Sequence, residues 1–250
     1  MIEIRGLSKR LGDMQVLDDL DLDIYDGEIF TLLGGSGMGK SVFLKNVIGL
    51  MEPDGGSIKI NGQEIVGMPK KKLTKIQTKF GMMFQGGALF DSLTVGENVA
   101  FGLKRLSDYS DEKIKELSIQ YLHMVELPGV ENKLPEDLSI GMKRRVALAR
   151  AIATSPEYIF YDEPTTGLDP ITTDIISDLF LDLQKKLKIT SVIVTHDLQI
   201  AFKVSDRIAL LHNGVIAELG TTEEFRKSDN PKVVQFIQGT RSGSYTGEEQ

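Results

Sequence analysis

Ile2 and Ile4 flank a charged residue, and the same alternation of apolar and polar positions returns at Leu20, Leu22 and Ile24. A period of two predicts half-buried strands. After a turn at Asp26-Gly27 the pattern becomes an apolar run over 29–33, and two further short runs, 158–161 and 191–194, are rich in β-branched or aromatic residues. Each of the two ends on a polar residue, as parallel strands buried on both faces do. Over 110–127 the period shifts to that of a helix: Ile114, Leu117, Tyr121, Leu122 and Val125 share a face, and Asp111 and Glu112 sit in the first turn, where they suit the helix dipole. Asn61-Gly62 separates strand-like segments at 57–60 and 63–66, and Asn213-Gly214 separates 208–212 from 215–218. That dipeptide favours a type I′ hairpin turn. The expected architecture is α/β, with a mainly parallel core sheet, an N-terminal antiparallel β subdomain and an inserted α-helical subdomain at approximately 86–157. One domain is expected over 1–240, with a polar flexible tail at 241–250.

Composition narrows the chemistry. With 250 residues, 41% hydrophobic and 26% charged, the chain has material for a substantial core. No apolar run approaches the roughly 20 residues needed to cross a bilayer. The first ten residues lack the apolar core of a secretory signal, so a cytoplasmic location is expected. Cysteine is absent and the three histidines have no ligand-like spacing; disulfides and a structural metal site are not expected, and a metal should arrive with a substrate. A net charge of −7 argues against a broad footprint on nucleic acid, so no nucleic-acid partner is expected and phosphate binding must be local.

Gly34-Gly35-Ser36-Gly37-Met38-Gly39-Lys40-Ser41 satisfies the G-x-x-x-x-G-K-S/T pattern directly after the run 29–33, and a helical run with Val42, Phe43, Val47 and Ile48 follows. The glycines let successive backbone N–H groups surround phosphate oxygens, and the helix N-terminus adds a favourable dipole. Lys40 is expected on the β- and γ-phosphates of ATP, and Ser41 on the Mg²⁺ that bridges them. This is the signature of a P-loop NTPase.

The strand-like 158–161 leads into Asp162 and Glu163, two acids placed to hold the Mg²⁺ shell and to reach a water near the γ-phosphate. Just upstream, Leu138-Ser139-Ile140-Gly141-Met142 precedes an expected helix over 146–153. With the phosphate loop and the paired acids in this order, that segment resembles the LSGGQ signature of the ABC superfamily. Ile140 and Met142 depart from the pattern, and Ile140 puts a side chain where backbone approaches phosphate. The resemblance implies that Ser139, Gly141 and the helix N-terminus clasp the γ-phosphate held by a second copy of the chain. It also implies that Gln85 touches the metal or attacking water, that Asp169 of Gly167-Leu168-Asp169 organises the dimer interface, and that His196 binds the γ-phosphate and orients the water and Glu163. The aromatic that stacks on adenine in this family is missing near Leu11; either Leu11 packs on the purine or Arg10 stacks on it.

Gly86-Gly87-Ala88-Leu89-Phe90 follows Gln85 and forms either a groove for a permease coupling helix or part of the subdomain core. The stretch 84–91, the segment 98–101, Met142 and Pro231-Lys232-Val233-Val234-Gln235-Phe236-Ile237-Gln238-Gly239 are similar to the ATPases of the Mce-associated, maintenance-of-lipid-asymmetry (Mla) type. That resemblance implies transmembrane permease subunits, Mce-domain and STAS-domain partners, and phospholipid as cargo. It also implies a peripheral position on the cytoplasmic face of the inner membrane. An importer ATPase for amino acids or other small solutes would carry the same catalytic motifs, and a soluble ABC protein acting without a transporter is the alternative of a different class.

Overall fold

The computed structural model describes residues 1–242, with side chains through 239. In chain order the elements are β1 (Ile2–Leu11), β2 (Met14–Ile24), β3 (Ile29–Leu33), α1 (Lys40–Val47), β4 (Gly55–Ile60), β5 (Gln63–Glu64), α2 (Lys70–Gln77) and β6 (Phe80–Met83). The helices α3 (Val95–Leu106) and α4 (Asp111–Met124), a 3₁₀ turn at Pro135–Asp137, and α5 (Ile140–Ile152) follow. The chain continues through β7 (Tyr158–Asp162), α6 (Pro170–Leu187), β8 (Thr190–Thr195), α7 (Leu198–Val204), β9 (Arg207–His212), β10 (Val215–Thr221), α8 (Thr222–Arg226) and α9 (Pro231–Ser242). These elements form two compact units, one of Met1–Gln77 with the residues from Thr190 onward, the other of Thr78–Ile189.

In the first unit the alternation at the N-terminus becomes an antiparallel sheet of order β2-β1-β4-β5. Ile2 faces Ile24 and Ile60, and Ile4 faces Leu22 and Ile58, so every second residue meets an apolar partner and all six are buried. The same unit holds β3 between two parallel neighbours, β8 and β9, with β10 antiparallel on β9. All five β3 side chains are buried, which explains the loss of alternation there. Both Asn-Gly pairs turn hairpins: Asn61 and Gly62 have φ of 51° and 74°, Asn213 and Gly214 of 48° and 80°, as a type I′ turn requires at both central positions. The second strand of the first hairpin pairs only over Gln63–Glu64, shorter than the 63–66 expected, because the Glu64 carboxylate instead accepts the amides of Ile58 (3.0 Å) and Val66 (2.9 Å).

In the second unit β6 and β7 pair in parallel, and α3, α4 and α5 pack on one another, with Val99, Leu103, Ile114, Leu122, Leu148 and Ile152 among their buried residues. Helix α3 opens with a capping box: the Thr94 hydroxyl accepts the Glu97 amide at 3.2 Å, and the Glu97 carboxylate accepts the Thr94 amide at 2.8 Å. Helix α4 matches the expected period with one exchange. Leu117 and Tyr121 are half-buried, whereas Ser118 is buried, its hydroxyl donating to the Ile114 carbonyl at 2.8 Å. A hydroxyl satisfied by its own helix can enter a core. Of the tail expected over 241–250, Arg241 and Ser242 belong to α9 and the remainder lies outside the described residues.

Candidate active site

In the first unit β3 delivers its C-terminal end directly to Gly34. A Cβ at Gly34 would lie 2.8 Å from the Leu211 carbonyl oxygen, so the loop runs flat against β9. Gly39 adopts φ 94°, and a Cβ there would lie 2.8 Å from Val16 Cγ1 and 2.9 Å from the Val16 oxygen. Backbone conformation and space both demand glycine at this point. The loop turns through exposed Ser36 and Gly37 and half-buried Met38, then enters α1, whose first turn closes through Phe43 N–H on the Gly39 carbonyl at 2.8 Å. Lys40 is the first residue of α1 and only 6% exposed. Its ammonium donates to the carbonyls of Gly34 (2.8 Å) and Gly35 (2.9 Å), which curls the loop around a buried cation. Ser41 follows, half-buried. Leu33 pairs with Thr195 across β3 and β8, so the loop and the exposed His196 leave neighbouring parallel strands at their carboxyl ends, the edge where α/β sheets bind ligands.

The second unit repeats this arrangement. Met83 pairs with Tyr161, so Gln85 and the Asp162-Glu163 pair emerge from neighbouring carboxyl ends. Gln85 is exposed, Asp162 half-buried and Glu163 only 8% exposed. Glu163 adopts φ 47°, a left-handed conformation that costs a non-glycine residue about 1–3 kcal/mol and is characteristic of functional sites. Its Oε2 accepts a hydrogen bond from the Thr166 hydroxyl at 3.0 Å, which fixes the carboxylate against its own loop. Beyond Gln85 the backbone winds through three positive φ values, 79° at Gly86, 86° at Gly87 and 43° at Ala88. Arg150 of α5 holds this winding in place, donating from Nη2 to the Gly87 carbonyl and from Nη1 to the Ala88 carbonyl, both at 2.8 Å. Buried Asn98 holds the next segment: its Oδ1 accepts the Phe90 amide at 2.8 Å, and its Nδ2 donates to the carbonyls of Phe90, Leu93 and Thr94 at 3.0–3.1 Å. Phe90 itself is 41% exposed and stacks on Phe101 with centroids 4.6 Å apart.

The signature segment forms the N-terminus of α5. The helix begins at Ile140 rather than at 146, because Ser139 caps it by accepting the Met142 amide at 3.3 Å. Ile140 is 59% exposed, so the unusual side chain stands out from the helix start. A Cβ on Gly141 would meet Thr172 Cγ2 at 2.8 Å, which lets the N-termini of α5 and α6 lie close together. Asp169 caps α6, accepting the amides of Ile171 (3.1 Å) and Thr172 (3.0 Å) and the Thr172 hydroxyl (2.5 Å). The Thr172 hydroxyl and amide hold its carboxyl below the ordinary range. Elsewhere, Leu11 is 45% exposed at the end of β1, and the Arg10 side chain donates to the Asp13 carbonyl at 3.1 Å.

The sequence reading assigns no role to Thr166, Arg144 or Arg150, and takes Asn98 only as part of the segment 98–101. A threonine beside paired acids and an asparagine inside an apolar helix carry no spacing signal. Arg144 stands in the basic run Lys143-Arg144-Arg145 and Arg150 between two alanines, yet Arg144 is only 4% exposed.

The family model for the ABC transporter matches residues 17–166. The chain is 42% identical to the probable ribonucleotide transport ATP-binding protein mkl of Mycobacterium leprae, over 97% of this chain and 70% of that protein. It is 35% identical to the intermembrane phospholipid transport system ATP-binding protein MlaF of Haemophilus influenzae, over 97% of this chain and 92% of that one. Among solved structures, a dimeric post-hydrolysis state of an ATP-binding cassette bound to ADP and Pi superposes with a TM-score of 0.81 at 32% identity, covering 89% of this chain and 99% of that one. A phosphate loop between β3 and α1, paired acids after β7 and a capped signature helix recur in one order along a chain so matched. The protein is a P-loop NTPase and belongs to the ABC transporter family, as the ATP-binding subunit that hydrolyses ATP for a transporter.

Proposed function

We propose that this subunit powers the movement of phospholipid or another hydrophobic molecule between membranes, in an Mla-type complex with permease subunits, an Mce-domain protein and a STAS-domain protein. The observation that carries this reading is the similarity to MlaF over nearly the whole of both chains. Among the described residues no helix is long and apolar enough to cross a membrane, so permease subunits would handle the cargo, with this chain peripheral on the cytoplasmic face of the inner membrane.

Two copies would close on two ATP molecules, each γ-phosphate lying between one phosphate loop and the Ser139–Gly141 segment of the other copy. The dimeric cassette with 32% identity supports this pairing, and so does a capped, solvent-facing α5 N-terminus. Gly34 to Gly39 would present amides to the phosphates, and Lys40 would carry charge from the β- and γ-phosphates. Among the described residues no group of three His, Asp or Glu side chains gathers to hold an ion unaided, whereas the Ser41 hydroxyl, the Asp162 carboxylate and the Gln85 amide oxygen are hard donors suited to Mg²⁺. Ser41, Asp162 and Gln85 would hold Mg²⁺, which would supply positive charge against the phosphates. Glu163 takes the proton of a water as that water attacks the γ-phosphorus and the bond to the bridging oxygen of ADP breaks. His196 orients the water and the γ-phosphate. Positioning and electrostatics dominate such a transfer.

The test has two arms. Glu163→Gln is expected to bind ATP, stop turnover and trap a dimer visible by size-exclusion chromatography; parental turnover would remove Glu163 from the mechanism. Mass spectrometry of what co-purifies from native membranes is expected to find an Mce-domain protein with phospholipid. A solute-binding protein in their place would keep the ATPase and overturn the cargo.

A further inference from the structure

Helix α5 carries a buried charge that the mechanism above does not use. Arg144 lies roughly one and a half turns from the Ser139 cap and is 4% exposed. Its Nη2 donates to the Thr166 carbonyl at 2.8 Å, while its Nε and Nη1, both buried, meet no hydrogen-bond partner. Burial draws its pKa downward. Enclosing a cation without an opposite charge is unfavourable, and an apolar side chain of the same volume would fill the space at less cost. The charge therefore needs a reason other than packing.

Its surroundings supply one. Thr166, whose carbonyl Arg144 holds, is the residue whose hydroxyl binds the Glu163 carboxylate. On the other side, a Cβ at Gly86 would have Arg144 Nη1 as its nearest neighbour, at 3.9 Å, so an open donor faces the turn that follows Gln85. We propose that Arg144 is a positioning residue for ATP hydrolysis, which holds the Glu163–Thr166 loop through one nitrogen and keeps two others to grip carbonyls of the Gln85–Gly86 turn when nucleotide closes the site. Because Ser139 and Arg144 belong to one rigid helix, capture of a γ-phosphate at the helix start moves the same body that aims Glu163. Arg150, farther along α5, already grips Gly87 and Ala88, so α5 holds the turn from one side at all times and from both only in the closed state. The glycine at 86 leaves space for this second grip.

The inference rests on Glu163 being the base, so the test runs the parental chain, Glu163→Gln and Arg144→Met together, full length. Arg144→Met is expected to lower kcat about 10- to 100-fold, the effect of misplacing a catalytic group by an ångström, with KM for ATP little changed and a melting temperature equal or higher. Arg144→Lys, with donors on a single nitrogen, should recover only part of kcat. Hydrogen exchange at the Gly86 and Gly87 amides should slow on ATP binding in the parental chain and not in Arg144→Met. Should Arg144→Met fail to fold, Arg144→Gln gives the same reading. Parental kcat in a folded variant, or a rise in KM in place of the fall in kcat, overturns the proposal. Parental turnover in Glu163→Gln would instead overturn the reading on which it rests.

Discussion

The Thr166 hydroxyl stands 3.0 Å from Glu163 Oε2, three residues along a loop in which Glu163 itself takes a left-handed backbone conformation. The hydrogen bond sets the carboxylate's direction. Thr166→Val keeps the shape and removes the donor. It is expected to lower kcat about tenfold while ATP affinity, measured by equilibrium binding, stays at the parental value. An unchanged kcat would mean that the Thr166 hydroxyl does not aim Glu163.

Asn98 satisfies four backbone groups of the segment between Gln85 and α3. Asn98→Leu keeps the branched shape of a side chain that is 0% exposed and takes their side-chain partner from the Phe90 amide and the Leu93 carbonyl, while the Phe90 and Thr94 carbonyls keep the amides of Leu93 and Asn98. Each buried group left unpaired costs about 1–3 kcal/mol, so chemical denaturation should register a loss on the order of 3 kcal/mol or more. Tryptic cleavage should begin after Arg105 or Lys104 before any site elsewhere in that unit.

Among the described residues four carboxylates at helix starts are held below their ordinary pKa: Glu97 by the Thr94 amide and hydroxyl, Glu112 by its own amide and the Ser110 hydroxyl, Glu224 by the Thr221 amide and hydroxyl, and Asp169 by the Thr172 hydroxyl and amide. A depressed native pKa means that the unfolded chain binds the proton more readily. The stabilisation is complete above the unfolded pKa, near 4, and is lost as pH falls through the lower native value. Thermal stability should therefore decline on the acid side of about pH 5, and Glu97→Gln with Glu224→Gln should flatten that limb by lowering stability at neutral pH while changing little where the parental carboxylates are already protonated. A limb of undiminished slope in the double variant would assign acid sensitivity to other groups.

Much of this protein was legible from local rules. A glycine loop between an apolar strand and a helix, acids at the end of a second strand, and Asn-Gly turns each encode their geometry in consecutive residues, because backbone conformation and phosphate chemistry act over a few positions. The start of α5 escaped that logic by six residues, since Ser139 is a cap only when the chain on its far side is already helical. What the tertiary structure alone decided is which polar side chains lie inside. Arg144 and Arg145 are neighbours in one basic run, yet Arg144 is buried against the Thr166 carbonyl while Arg145 reaches Glu126 at 3.6 Å. Burial depends on what other segments bring to that face of α5, the Gly86 turn and the Thr166 loop, and those arrive from about sixty residues upstream and twenty downstream. Desolvation and loop capture are properties of that assembled neighbourhood, so the chemistry of ATP could be read along the chain, and the groups that aim it could not.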